Sequence, residues 1–297
     1  MLDMANKVSI FRDDDRSNLF KDQGFVVVPF LDSHQIEELQ ALYSRLYPKG
    51  VEGFFSTTFA QNPEHRAEVN SSIRQICNDR MNELLKDYKT FFSSFIVKAP
   101  GEKSELILHQ DMTLVDERIF TGMNIWCPLI DLQGNNGVLE ILPKSHRLFY
   151  TYRGSSLPDI YDDVKQEIRK YMQPMPLKAG EAIIFDQSII HYSPPNLSEG
   201  ERVVINTFVA HEDAQIRICY HDKELAPDKV QIFAQADNFL EEYQNFGANI
   251  FDKPTIGDDL GFVEYDFPKL TSSHLESLYG QNSSIGRRLL NFLKGVS

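Results

Sequence analysis

Two periods of apolar residues divide the chain near residue 90. Before that point, between residues 36 and 46 and again between residues 63 and 88, apolar residues recur every three or four positions, the spacing of an amphipathic helix. Asp32 precedes the first segment, and Gln35 lies three residues after Asp32. This spacing is the signature of a helix N-terminus capped through both side chains. We therefore expect residues 1–90 to form a mostly helical flank.

After residue 90 the apolar residues fall in short runs separated by turn signals. This pattern is typical of all-β sandwiches and barrels. Eight runs predict strands, enough for a closed jelly roll. The predicted strands are residues 91–97, 105–108, 122–129, 138–141, 175–177, 182–185, 202–210 and 215–220.

The two patterns together predict an α+β fold. Its core is a double-stranded β-helix (jelly roll, cupin-like) over residues 91–222, flanked by helices from the N-terminal third and from a helical C-terminal extension over residues 223–297. The chain contains no internal repeat and no Pro/Ser-rich linker, so we expect residues 1–297 to form a single catalytic domain.

Residues 145–174 interrupt the strand pattern with aromatic residues on a polar background, and a helix is expected over residues 159–172. Inserts of this length inside a barrel are usually functional or disordered, and the aromatic content argues against disorder. A lid over a pocket mouth and a helix that covers a sheet edge are equally consistent with the pattern. If the insert is a lid, Phe149, Tyr150 and Tyr152 are candidate substrate contacts.

Charge and composition restrict the partners. The net charge of −13 at pH 7 argues against nucleic acid and anionic membrane surfaces, because both are themselves negative. No export signal or membrane-spanning window is recognisable, and the three cysteines do not have the spacing of a disulfide framework or a zinc site. We expect a soluble, cytoplasmic protein that acts on a small molecule; the sequence predicts no oligomeric state.

The strongest chemical signal is a pair of potential metal ligands at the end of an apolar run. Residues i and i+2 of a strand share a face, so His109 and Asp111 are expected to point the same way. His191 follows another apolar run 82 residues later and can supply a third ligand. Two imidazoles and one carboxylate form a facial triad, which suits Fe(II) with open coordination positions better than it suits tetrahedral zinc.

Arg202 lies 11 residues beyond His191, at the start of the next predicted strand. A buried guanidinium there can bind the far carboxylate of a dicarboxylic 2-oxo acid whose near end chelates the metal. The alternative is a salt bridge at the surface or the rim.

These motifs resemble those of the phytanoyl-CoA dioxygenase family of Fe(II)/2-oxoglutarate-dependent oxygenases, over roughly residues 20–210. The resemblance rests on the triad and Arg202 together with the segments at residues 24–31, 109–111, 124–131 and 135–146. It implies that His109, Asp111 and His191 ligate Fe(II), and that Arg202 binds the C5 carboxylate of 2-oxoglutarate. It also implies that Gln110 and Trp126 line the co-substrate pocket.

The resemblance further implies a reaction in which O2 and 2-oxoglutarate yield succinate, CO2 and a hydroxylated substrate. The retained Asp111 favours hydroxylation over halogenation, while desaturation, cyclisation and epimerisation stay open. The chain departs from the family pattern in two places. Lys144 replaces a glycine in the turn before residues 145–146, and Val203 follows Arg202 without an adjacent hydroxyl, so the second partner of the C5 carboxylate is unidentified.

A second His-x-Asp, His211 with Asp213, lacks a later histidine and arginine at comparable spacing, and we interpret it as a polar strand end. Asp186 lies at an odd offset from His191 and is therefore expected on the opposite face of a continuous strand. His146 is expected to have a structural role.

Two other functions stay open: a non-catalytic jelly-roll module, and a cupin-like metal enzyme that does not use 2-oxoglutarate. The substrate is expected to be a free metabolite, amino-acid-like compound or natural-product intermediate. An acyl-CoA is the alternative, but only Lys144, Arg147 and Arg153 offer a basic cluster for its phosphates.

Overall fold

The computed structural model of the 297-residue chain describes residues 7–249 and 251–280. The helices are α1 (Asp14–Gln23), α2 (Ser33–Leu46), α3 (Pro63–Leu84), α4 (Lys165–Ile168), α5 (Phe239–Glu242) and α6 (Ser272–Tyr279). The strands are β1 (Phe25–Pro29), β2 (Phe54–Ser56), β3 (Tyr88–Lys98), β4 (Leu106–His109), β5 (Met123–Pro128), β6 (Leu139–Ile141), β7 (Gln173–Met175), β8 (Glu181–Asp186), β9 (His191–Ser193), β10 (Arg202–His211), β11 (Arg217–Tyr220), β12 (Lys229–Ala234) and β13 (Asp258–Glu264).

Two antiparallel sheets form the core. The larger has the strand order β1-β8-β5-β10-β3-β2 and the smaller has the order β4-β9-β6-β7. One apolar cluster joins them, with Trp126 and Ile183 from the large sheet packed with Leu139, Ile141 and Met175 from the small one. The predicted jelly-roll core flanked by helices is therefore confirmed.

The large sheet separates two environments because its side chains alternate between faces. On the outer face, Val97, Ile125 and Ile205 pack against the apolar stripes of α2 and α3. The inner face carries the even-numbered residues of β3, β5 and β10. Helix α2 begins with the expected reciprocal cap, in which the Gln35 backbone N–H donates to Asp32 at 2.9 Å and the Asp32 N–H donates to the Gln35 side chain at 3.0 Å.

The insert at residues 145–174 covers the small sheet and does not form a lid. Tyr161 and Ile168 are fully buried, and they pack with Leu108 and Ile190 at the ends of β4 and β9. The continuous helix expected over residues 159–172 is replaced by α4 between two short 3-10 turns. The lid interpretation was wrong because aromatic composition does not indicate which side of a sheet an insert covers.

The expected helical C-terminal extension over residues 223–297 is also corrected. Strand β12 pairs with β11 and β13 pairs with β12, which forms a third sheet, while α5 and α6 are short. The side chains of β13 are mostly exposed, so the strand lacks the apolar alternation by which it would be recognised. Residues 281–297 lie outside the described part of the chain.

Within the described ranges, no helix is both long and apolar enough to cross a bilayer.

Candidate metal and co-substrate site

Strand pairing brings the two histidines together. His109 ends β4, His191 begins β9, and the two residues are directly opposed in the antiparallel pair. Their ring centres are 4.0 Å apart. Asp111 lies just past the end of β4, where its backbone N–H donates to Gln187 O at 3.0 Å. The potential ligand atoms of the three residues all lie within 4.8 Å of one another, as a group that could hold a metal ion.

Backbone carbonyls orient both imidazole rings. Nδ1 of His109 lies 2.7 Å from Ile107 O, and Nδ1 of His191 lies 3.0 Å from Ile189 O. A carbonyl accepts only, so each Nδ1 must carry the proton, and each Nε2 is left with a free lone pair. The two Nε2 atoms lie 3.6 Å and 3.9 Å from Asp111 Oδ1. This donor set fits a divalent metal, with two neutral nitrogens and one carboxylate oxygen converging on one point.

The electrostatics of the triad favour a cation between its members. Burial and the nearby His109 ring lower the pKa of His191 to about 4, so His191 is neutral near pH 7. Burial by itself would raise the pKa of Asp111, but the two histidines and Arg153 hold it below its usual value. Burial also acts to lower the pKa of His109, yet the Asp111 carboxylate raises it above its ordinary value. Without a metal, the Asp111 carboxylate favours a proton on His109. A bound metal would supply that positive charge instead.

The insert and β5 hold the ligand loop from both sides. Arg153 Nε donates to the Asp111 backbone oxygen at 2.6 Å, and its guanidinium is fixed by a buried ion pair with Glu117. Asn124 Nδ2 donates to Asp111 Oδ2 at 2.6 Å. The Gln110 side chain lines the cavity and donates to Ser188 O at 2.5 Å, which links the two ligand-bearing loops.

Arg202 is a buried cation whose charge is not neutralised by an ion pair with any of the described carboxylates. It is 1% exposed. Nη1 donates to Gly137 O at 2.8 Å and to Ser193 Oγ at 3.3 Å, while Nε is buried without a partner. Burial lowers its pKa to about 9, and its guanidinium lies 5.3 Å from the centre of the Trp126 ring. The alternative of a surface or rim salt bridge was wrong; the guanidinium instead lines the same cavity as the triad.

Two residues near Arg202, Lys98 and Ser193, are not among those assigned from the sequence. Lys98 is fully buried opposite Arg202, and its Nζ donates to Ser193 O at 2.7 Å and to Pro194 O at 2.6 Å. Burial, and then the charge of Arg202, lower its pKa to about 6. Ser193 follows His191 by two residues on β9, and this i+2 spacing was the available signal that its hydroxyl faces the cavity.

The site has two chambers that share part of their lining. The main chamber, about 420 Å³, contains the triad, Arg202 and Trp126, with the partly exposed rings of Phe59 and Phe251 at its edge. A second chamber of about 190 Å³ shares Asp111, Asn124 and Asn206 with the first. Asp111 thus lines both chambers.

Phe149, Tyr150 and Tyr152 line neither chamber. Tyr152 is buried against Tyr150 and Tyr265, with both ring-centre distances at 5.2 Å, and Phe149 packs on His274. The predicted substrate contact through these residues is therefore corrected: Tyr150 and Tyr152 pack against the sheet of β11, β12 and β13, and Phe149 packs in the cluster that covers the small sheet.

The remaining polar candidates have structural surroundings. His211 stacks on Phe120 and pairs with Asp213 at 3.6 Å, as expected for a polar strand end. Asp186 is buried and accepts hydrogen bonds from the backbone N–H and hydroxyl of Ser188. His146 is buried beside Lys21 O.

Lys144 keeps the backbone geometry that a glycine would adopt in its turn. Its φ of 67° lies in the left-handed region, at a cost of roughly 1 kcal/mol for a residue with a side chain. Its ammonium pairs with Asp22 at 2.6 Å. The departure from the family pattern therefore changes the residue without changing the turn.

A jelly roll with a His-Asp-His triad and a buried arginine in one cavity defines a metal-site protein of the double-stranded β-helix class. The family model described as phytanoyl-CoA dioxygenase (PhyH) matches residues 20–204. The chain therefore belongs to the phytanoyl-CoA dioxygenase family, as the motifs indicated.

Individual relatives are distant. Phytanoyl-CoA dioxygenase domain-containing protein 1 from Danio rerio is 32% identical over 120 residues, which cover 38% of this chain and 41% of the relative. The chain thus spans about two fifths of the length of the curated relatives it matches.

Two solved structures share the fold. The non-heme alpha-ketoglutarate-dependent carbocyclase SnoK from nogalamycin biosynthesis superposes with a TM-score of 0.53 at 16% identity, covering 84% of this chain and 96% of SnoK. HygX from Streptomyces hygroscopicus, solved with nickel and 2-oxoglutarate bound, gives 0.50 at 15% identity, covering 68% and 87%.

Proposed function

We propose that the chain is an Fe(II)- and 2-oxoglutarate-dependent dioxygenase that hydroxylates a small molecule. The observation that carries the proposal is the position of Arg202. It is a buried guanidinium without a carboxylate partner among the described residues, and it lines the same cavity as a convergent His-Asp-His triad. A buried charge without a counterion is costly, so an anionic ligand is the simplest explanation for its retention.

His109, Asp111 and His191 would hold the iron through the two Nε2 atoms and Oδ1. Bound Fe(II) supplies open coordination positions for a 2-oxo acid and O2, together with the redox chemistry that oxidises a carbon centre. The protein's contribution is orientation. The Nδ1–H bonds to Ile107 O and Ile189 O fix both rings, while Asn124 and Arg153 fix the carboxylate and its backbone.

Arg202 and Ser193 would bind the C5 carboxylate of 2-oxoglutarate. The Ser193 hydroxyl now donates to Gly137 O at 2.9 Å and can rotate to the incoming carboxylate. Ser193 is thus the second carboxylate partner that is missing from the residues beside Arg202. Trp126 lies beside the guanidinium and limits the width of this end of the cavity.

The proposed reaction is 2-oxoglutarate + O2 + R–H → succinate + CO2 + R–OH. One oxygen atom enters succinate and the other enters the product. O2 accepts four electrons, two from the oxidative decarboxylation and two from the substrate C–H bond.

The basic residues considered for an acyl-CoA are already paired. Lys144 and Arg147 contact Asp22 at 2.6 Å and 3.3 Å, and Arg153 is buried with Glu117. This favours a free metabolite, such as a natural-product intermediate, over a CoA thioester. Three buried free cysteines and an Fe(II) site favour the reducing environment of the cytoplasm.

The test is aerobic turnover after anaerobic loading with Fe(II), following succinate formation from 2-oxoglutarate against O2 consumption. Asp111→Ala should abolish succinate formation. Asp213→Ala is the matched control, because it removes the carboxylate of the other His-x-Asp and should leave the rate unchanged. Succinate formation that persists in Asp111→Ala would refute the proposed metal site.

The alternative of a metal enzyme that does not use 2-oxoglutarate makes a different prediction. Its turnover would need no 2-oxoglutarate and would be insensitive to the loss of the Arg202 guanidinium. A non-catalytic module would bind neither Fe(II) nor 2-oxoglutarate in equilibrium dialysis.

A further inference from the structure

Two asparagines extend a chain of hydrogen bonds from Asp111 along the lining that the two chambers share. Asn124 Nδ2 donates to Asp111 Oδ2 at 2.6 Å, and Asn206 Nδ2 donates to Asn124 Oδ1 at 3.2 Å. We call this chain of hydrogen bonds, from Asp111 through Asn124 to Asn206, the amide relay. Its last atom, Asn206 Oδ1, is buried and has no hydrogen-bond partner within the described residues.

The carboxylate determines the orientation of both amides. Ionised Asp111 can only accept, so Asn124 must present its NH2 group to it and its oxygen to Asn206. Asn206 must then donate with its own NH2 group. Its Oδ1 is therefore left as a free acceptor, because the carboxylate fixes which end of each amide is the oxygen.

Strand register places the relay on the inner face of the large sheet. Asn124 lies on β5 and Asn206 lies on β10. Asn206 is opposite Trp126 and Asn124 is opposite Phe208 in the antiparallel pair, so the two asparagines are diagonal neighbours. Diagonal neighbours on one face of a sheet are within side-chain reach. The polar relay thus separates the cationic end of the sheet at Arg202 from its aromatic end at Phe208.

The second chamber is lined by apolar and polar side chains. Outside the amide relay its polar residues are Thr58, Ser94 and Gln187, and Gln187 Oε1 is a second buried acceptor without a partner within the described residues. The apolar walls of the chamber include Phe92, Leu114, Phe208, Ile218 and Leu240, and Asp111 is the single charged side chain among the described residues that line it. Its volume of about 190 Å³ exceeds the roughly 150 Å³ of cavities that accept benzene. An ionised ligand would be buried there without a counterion, whereas a ring-sized neutral molecule would bury apolar surface at little polar cost.

We propose that the second chamber binds the substrate as an uncharged, largely apolar molecule with an O–H or amide N–H group, and that Asn206 accepts a hydrogen bond from that group. The proposal rests on the proposed function for the identity of the reaction. The χ2 torsion of asparagine is soft, so a small rotation turns Oδ1 toward the ligand. The bond would fix the carbon next to the donor group on the Asp111 side of the chamber, towards the metal site.

The test compares 2-phenylethanol with its methyl ether, which has the same ring but no donor. Dissociation constants are measured by ligand-observed NMR on the full chain, with and without Fe(II) and 2-oxoglutarate under anaerobic conditions. The wild type should bind the alcohol roughly five- to tenfold more tightly than the ether, the ratio expected for one buried neutral hydrogen bond. In the protein loaded with Fe(II) and 2-oxoglutarate, where Asp111 and Arg202 are already occupied, phenethylammonium and phenylacetate should bind more weakly than the alcohol.

Two variants separate the hydrogen bond from the fold. Asn206→Leu should bring the alcohol-to-ether ratio close to one while the ether binds at least as well as before. Asn206→Asp keeps the side-chain shape and should shift the preference towards phenethylammonium. Asn78→Leu, an exposed helix position, is the control and should leave all constants unchanged.

Equal binding of alcohol and ether, tightest binding of a charged probe by the loaded protein, or no binding of any probe would each overturn the proposal. The measurement on metal-free protein keeps the two claims distinct. A failure to bind Fe(II) and 2-oxoglutarate counts against the proposed function, whereas probe selectivity in the metal-free protein still reports on Asn206.

Discussion

Arg202 and Lys98 are directly opposed on the antiparallel strands β10 and β3, and both side chains are buried. Like charges at opposed positions destabilise a sheet, and burial increases the cost. The protein limits this cost by holding Lys98 against two backbone carbonyls and by lowering its pKa to about 6. Arg202 lines the cavity with Lys98 buried behind it, so the positive charge at this end of the cavity suits a carboxylate.

Replacing Arg202 with alanine should raise the KM for 2-oxoglutarate with a smaller effect on kcat. Loss of one partner of a buried, hydrogen-bonded charge pair costs about 2–5 kcal/mol, which corresponds to a rise in KM of roughly 30-fold or more. Steady-state kinetics with varied co-substrate measure it. Arg118→Ala removes an exposed arginine paired with Asp116 and should leave KM unchanged. An unaltered KM in Arg202→Ala would show that the carboxylate binds elsewhere.

Binding of 2-oxoglutarate should be coupled to proton uptake by Lys98. In the free protein the pKa of Lys98 is about 6, lowered by burial and by Arg202 and opposed by Glu105, so the amine is mostly neutral at pH 7.5. A bound carboxylate favours the ammonium form and raises this pKa. Affinity should therefore fall as pH rises from about 6 towards 8.

Calorimetry of the metal-loaded protein, in buffers of different ionisation enthalpy, measures the proton uptake. Lys98→Met is the comparison, because protons exchanged at the metal ligands are common to both proteins. The same proton uptake in Lys98→Met and the wild type would mean that Lys98 does not titrate on binding.

Gly137→Ala should destabilise the fold and distort the anion site. Gly137 has a φ of 77°, and a Cβ there would lie 3.0 Å from Lys98 Cδ and 3.1 Å from Pro194 O. We expect a loss of about 1–3 kcal/mol in the free energy of unfolding, measured with urea. Gly134→Ala is the control: its φ of 56° is also positive, but its Cβ meets nothing within 4 Å. Equal losses in the two variants would show that backbone strain alone is responsible.

Asn124→Leu should weaken metal binding without removing a ligand. The Asn124 amide donates to Asp111 Oδ2 and orients the carboxylate. Loss of such a partner typically lowers metal affinity about 10- to 100-fold. Competition with a chromophoric chelator measures the affinity, with Asn78→Leu as the control. If the affinity is unchanged, the orientation of Asp111 is determined by its backbone contacts alone.

The sequence predicted the members of the triad from a strand pattern that the structure matches only in part. The i, i+2 argument assumes a continuous strand, yet β4 ends at His109 and Asp111 is directed inward by its backbone bond to Gln187. The opposition of His109 and His191 comes from the register of two distant strands, which local patterns do not encode. The jelly-roll class could be predicted because it depends only on the number and spacing of short apolar runs.

The errors have the same physical origin. Tyr152 and its aromatic neighbours were wrongly assigned to a substrate pocket. The sequence could not show where they pack, because the position of the insert depends on contacts between distant segments. Lys98 was missed because a lysine at a strand end is usually solvated, and it is buried here by the return of β10 beside it. Lys144 was flagged correctly as an unusual residue, but its backbone keeps the turn.

The most direct test of the account is an anaerobic titration of the metal-free protein with Fe(II) and 2-oxoglutarate, followed by visible absorption. A 2-oxo acid chelated to Fe(II) gives a metal-to-ligand charge-transfer band. The account predicts that the band appears in the wild type and in His211→Ala, is lost in His109→Ala, and needs much more 2-oxoglutarate in Arg202→Ala. The absence of a band in the wild type, under conditions where both components are saturating, would contradict it.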